Sequence, residues 1–230
     1  MRTMLVALLA VAAASCAGAK GARESTAKTQ IPDEDLGRLA PGQTGPVDQA
    51  RQFRGSALDE QARASLRQQQ AQREVDVAKA DQEAADADAK RAEAQEKAAN
   101  ETRDPADLER GRQMKEQAQL HKKMADAHLD YAKKLVDARK ASLEAAQKQV
   151  ALGDARLEWA KLEALQQGQV PAATKYDASK FQSQVNDAQK SFDDSMQKAR
   201  DLDGQASASR QQWEDLQRQM QARGGVMQTG

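Results

Sequence analysis

Between Asp104 and Gln167 one row of mostly apolar residues recurs at alternating spacings of four and three. Its members include Leu129, Ala132, Val136, Leu143, Ala146, Val150, Gly153, Leu157 and Ala160, with Arg139 as the polar exception. This is a coiled-coil heptad seam, and it predicts one uninterrupted helix about 90 Å long at 1.5 Å per residue. Asp104 is suited to the N-cap and Pro105 to the first helical position, while Gly168 and Pro171 close the segment. A second row runs along the same helix through Met124, Tyr131, Lys134, Ala138, Ala145, Leu152, Trp159 and Leu162. The two rows lie roughly 150° apart around the axis, so the helix needs two neighbours.

The flanking segments supply them. Residues 46–102 repeat Ala every seventh position from Ala50 to Ala99, and their helix starts at Pro46, or at Ser56, which forms a variant capping box with Asp59. Residues 175–222 carry the seam Phe181, Val185, Ala188, Phe192, Ala199, Ala206, Trp213 and Met220, with Thr174 and Asp177 as the capping pair. Residues 223–230 read as a frayed tail. Short connections at 102–105 and 168–174 force antiparallel neighbours. Folding the last segment onto the second row brings Leu162 to Phe181, Tyr131 to Trp213 and Lys134 to Ser209. Folding the first onto the first row brings Ala78 to Leu129, Ala71 to Val136 and Gln68 to Arg139, small against large in the apolar pairs. The expected fold is all-α, with three long antiparallel helices (46–102, 105–167, 175–222) forming an extended coiled-coil rod, flattened or bundled. In the flattened form, a strip on the first helix (Val77, Ala80, Ala84, Ala87, Ala94, Ala98) stays uncovered and offers a docking face.

Composition supports a rod over a globular core. Aromatic residues make up 3% of the chain, and 35 basic side chains balance 35 acidic ones. Zero net charge gives no electrostatic reason to expect nucleic acid. His121 and His128 are the only histidines. Without a cysteine or carboxylate at ligand spacing they read as surface positions, not as a metal site. Phosphate loops and nucleophile elbows are absent from the sequence. The reading is therefore non-enzymatic, with no catalytic residue, metal, cofactor or small-molecule substrate.

The first fifteen residues, with Arg2 followed by an apolar run from Leu5 to Ala14, read as a signal peptide too short to span a bilayer. Ala13-Ala14-Ser15-Cys16 follows, and Cys16 is the only cysteine of the chain. This stretch resembles the lipobox of bacterial lipoprotein precursors, although the family favours Leu where Ala13 stands. The resemblance covers about the first sixteen residues. It implies lipidation of Cys16, which becomes the first mature residue. Ala17 in place of Asp implies the outer membrane, facing the periplasm. Ordinary secretion, with cleavage after Ala17-Gly18-Ala19, is the competing reading. Residues 16–45 read as a lipidated N-terminus and flexible tether, in which Ile31–Leu36 is a spacer or a docking motif. The expected function is a membrane-anchored spacer or interaction scaffold. It engages membrane lipid through Cys16, and a protein partner or a second copy through its helix faces. The alternative is a helical component of an envelope transport or efflux assembly.

Overall fold

The computed structural model describes residues 30–40 and 42–227, with side chains to Arg223. A short helix α1 (Asp33–Leu36) precedes three long ones: α2 (Gly45–Thr102), α3 (Pro105–Gln167) and α4 (Ala178–Met227). A 3-10 turn at Pro171–Lys175 joins α3 to α4. No strand occurs among the described residues. The fold is all-α, and the three long helices lie antiparallel along one another. α3 is central, and both outer helices pack chiefly on it. No described helix is long and apolar enough to cross a membrane.

Local chemistry sets the turns. Asp104 Oδ1 accepts from the amide of Ala106 at 2.7 Å and that of Asp107 at 3.4 Å, capping α3. Arg103 takes the left-handed conformation (φ 55°) that lets the chain reverse, as does Gln169 (φ 53°) at the other end. Two caps differ from the sequence expectation. Ser56 lies inside α2 and donates to the carbonyl of Gln52. α2 begins earlier, at Gly45, because Pro46 fits its first turn. Thr174 donates to Pro171 within the 3-10 turn. Asp177 alone caps α4, accepting from the amide of Ser179 at 3.0 Å. α4 also continues past 222 to Met227, into the stretch expected to fray.

The seams have the expected register. Ala71, Val75 and Ala78 of α2 pack with Leu129, Ala132 and Val136 of α3 in one buried cluster. Leu162 and Phe181 share another at the α3–α4 turn. Tyr131 stacks on Trp213, with ring centroids 5.7 Å apart. Small residues let α2 and α3 approach closely: a Cβ on Gly153 would stand 3.1 Å from the Cα of Arg54. Gln68 does not pair with Arg139. Arg139 reaches α4 instead, donating to Asp203 at 3.2 Å.

The strip on α2 stays uncovered, as the flattened arrangement requires: Val77 is 53% exposed, and Ala80, Ala84, Ala87, Ala94 and Ala98 are exposed. The rows on α3 are not diametrically opposed, however. On the narrower side, side chains of α2 and α4 reach the same face of α3. Both line one dip there, which Arg67 of α2 shares with Arg139 of α3 and with Phe192 and Arg200 of α4.

Candidate functional site

Two places hold more chemistry than a packed rod needs. The first is a clasp at the α3–α4 turn. Ile31 is 2% exposed, and it packs with Leu36, Val47, Leu162, Leu165 and Phe181. The Ile31 amide donates to Glu158 at 2.7 Å, and its carbonyl accepts from Lys161 Nζ at 3.1 Å. Lys161 is itself buried, and it pairs with both Asp33 and Glu158 at 3.0 Å. Tyr176 donates its hydroxyl to Asp35 at 3.2 Å. A Cβ on Gly168 would sit 2.6 Å from Leu39, so the bare backbone there admits the incoming chain.

The electrostatics follow from this geometry. The hydrogen bond and charge of Lys161 hold the Asp33 carboxyl below its usual range. Burial pulls the Lys161 ammonium down, but Asp33 and Glu158 outweigh it, and the net shift is upward. Burial and the neighbouring Asp35 push the Tyr176 phenol up. Ile31–Leu36 is thus neither a free spacer nor part of a flexible tether reaching 45. It is a docking segment whose site is the rod itself.

The second place is His128, read from sequence as a surface residue. It is 5% exposed. Its Nδ1 lies 2.9 Å from Asp81 Oδ2, and its Nε2 lies 2.9 Å from Glu74 Oε1. Its ring stacks on Trp213 with centroids 4.3 Å apart and planes within 8°. One side chain of α3 therefore meets α2 through both ring nitrogens and α4 through its face. Farther along α3, Lys134 donates to Ser209 at 2.7 Å, and Ser209 donates to Asp130 at 2.9 Å. Lys134 and then Ser209 lower the Asp130 carboxyl against the opposing effect of burial. His121, one heptad before His128, is half-buried and faces only Asp88, at 3.3 Å.

Comparison with protein-family models, with curated proteins and with solved structures finds no match to this chain. What the sites do must be argued from their own geometry. Among the described residues no three His, Cys, Asp or Glu side chains are grouped to hold a metal ion. None of the described buried side-chain nitrogens or oxygens lacks a partner. Cys16, the residue expected to carry lipid, lies outside the described residues, as does the expected signal peptide.

The sequence contained a usable signal for His128. Laid over each other, the two seam registers place Asp81 and Trp213 at the level of His128, on the narrow side between the rows. The clasp has no such signal. Its two apolar anchors, Ile31 and Leu36, are too few to show a period, and their site is assembled from three separate segments.

Proposed function

We propose that the protein is a lipid-anchored envelope lipoprotein that acts as a rigid helical spacer and interaction scaffold. Lipid on Cys16 holds it in a membrane, the outer membrane facing the periplasm. Each buried CH₂ of an acyl chain contributes about 0.8 kcal/mol, so more than one chain makes the attachment durable. The observation that carries this reading is the clasp. It fastens the chain at Ile31 to the α3–α4 end of a rod about 90 Å long. Only about fourteen residues then separate Cys16 from the rod, with a reach of at most about 50 Å. The α3–α4 turn is membrane-proximal, and the Arg103–Asp104 turn is presented away from the membrane. A tether free to residue 45 would reach about 100 Å, longer than the rod, whereas the clasp shortens it and so supports this orientation. The scaffold role falls to the exposed helix faces, which bind a protein partner or a second copy of the chain.

Cys16→Ser tests the anchor. The variant is expected to leave the membrane fraction and to take up no acyl label. Normal processing and retention in the membrane would overturn the reading. Cysteine accessibility tests the orientation separately. A membrane-impermeant reagent should label Arg103→Cys at the distal turn faster than Lys175→Cys at the proximal one, both in a Cys16-containing chain whose lipidated sulfur is blocked.

A further inference from the structure

We propose that the His128 junction is a proton-operated fastener. It holds the far part of α4 against the α2–α3 hairpin while the imidazole carries both ring protons, and loosens when the ring gives one up to solvent.

A neutral imidazole has one N–H and one lone pair, whereas the imidazolium has two N–H groups and no lone pair. Both ring nitrogens of His128 face carboxylate oxygens at 2.9 Å. Carboxylates only accept, so only the doubly protonated ring satisfies Glu74 and Asp81 together. In the neutral ring, one nitrogen lone pair points at a carboxylate oxygen. The third contact shares this preference, because a cation is drawn to the face of an indole and Trp213 covers the ring.

The charged groups facing His128 from α2 are Glu74 and Asp81. From α4 it is faced by the uncharged Trp213, and the charged residues flanking Trp213, Arg210 and Glu214, pair with each other at 2.7 Å. On α3 itself, Asp130 and Lys134 are paired at 2.8 Å. The cations Lys134 and Arg210 are thus each already held by a carboxylate of their own helix.

α4 depends on this contact. Beyond Phe192 its fully buried residues are small: Ser195, Ala199, Ala206 and Ser209. Leu202, Leu216 and Met220 are half-buried. Trp213 supplies the bulk there, and it does so by stacking on His128 and Tyr131. His121 is the internal control. It faces a single carboxylate, and a neutral imidazole protonated on Nδ1 still satisfies that contact.

The experiment follows the intact chain by NMR and amide hydrogen exchange from about pH 5 upward, until the His128 ring signals show that one proton has left. The Trp213 indole signal is expected to move with the His128 ring nitrogens. Exchange protection in α4 beyond Ala199, corrected for intrinsic rates, is expected to fall about tenfold, which is the scale of one lost hydrogen bond to a charged group. His128→Gln should remove that pH dependence, and His121→Gln should keep it. Protection that varies alike in wild type and His128→Gln would overturn the proposal. If His128→Gln does not fold, the wild-type titration decides alone: a Trp213 signal that ignores the His128 transition refutes it.

Discussion

Lys134 Nζ donates to Ser209 Oγ at 2.7 Å across the α3–α4 seam. Both stand at positions where a heptad calls for apolar side chains, and they stand opposite each other. Ser209 is buried and donates its own hydroxyl hydrogen bond to Asp130. A polar pair at this level of the seam penalises a slip by one heptad, which would bury Ser209 against Ala127 or Ala141.

Ser209→Ala tests this pair. The change strands no buried charge, because Lys134 keeps Asp130. Stability to urea should fall by about 1 kcal/mol, the usual net value of such a bond.

Two glycines in helices should respond in opposite directions. Gly204 has nothing within 4 Å of an added Cβ, so Gly204→Ala should stabilise α4 by about 0.5–1 kcal/mol. Gly153→Ala sets a methyl 3.1 Å from the Arg54 Cα, which is backbone and cannot swing away. The helix gain is then reversed, with a loss of about 1–3 kcal/mol. Thermal denaturation of the two variants reads both signs.

The clasp should open in acid. Lys161 lowers the Asp33 carboxyl, so the contribution of Asp33 is complete above the ordinary carboxylate range and is lost as pH falls through the lowered value. Proteolysis or hydrogen exchange at Ile31–Leu36 should therefore accelerate below about pH 4 while the long helices persist. Lys161→Met should loosen the same segment at neutral pH by roughly 1–2 kcal/mol, a figure discounted for the exposure of Asp33.

The α3–α4 register should yield an intramolecular disulfide. Ala155 and Ala188 line the same dip between these helices. In a Cys16→Ser background, cysteines at both positions are expected to close within one chain, which requires Cα atoms within about 7 Å. Cross-linking only between chains would contradict the hairpin.

The long helices and their order were legible because period and caps agree over many turns. Leu129, Val136 and Leu143 face a seven-residue Ala repeat that fits any shift by seven, so the short turn at 102–105 set that register, while the bonded pair at Lys134 and Ser209 supports the other. Shape was less legible. Rows roughly 150° apart suggest a sheet of helices, but on the narrower side the side chains of α2 and α4 both reach His128. A histidine between two seams looks solvated to any single-helix argument. Its burial depends on Glu74, Asp81 and Trp213 arriving from two other helices. Ile31–Leu36 was legible as a spacer or a docking motif, but its site was not, since that surface exists only once Leu162, Leu165 and Phe181 have come together.

Three antiparallel helices are an odd number, so the described chain enters at Ile31 on one end of the rod and leaves at Met227 on the other. The pair of Arg223 with Glu116, far from the clasp, marks that second end. Tension between the two ends would therefore pull α2 and α4 in opposite directions along their axes. Such a load shears each seam, and its side-chain contacts must give way together. An even number of helices would place both attachment points at one end, and the same tension would peel the contacts apart one turn at a time. The odd count makes this rod strongest along its own length.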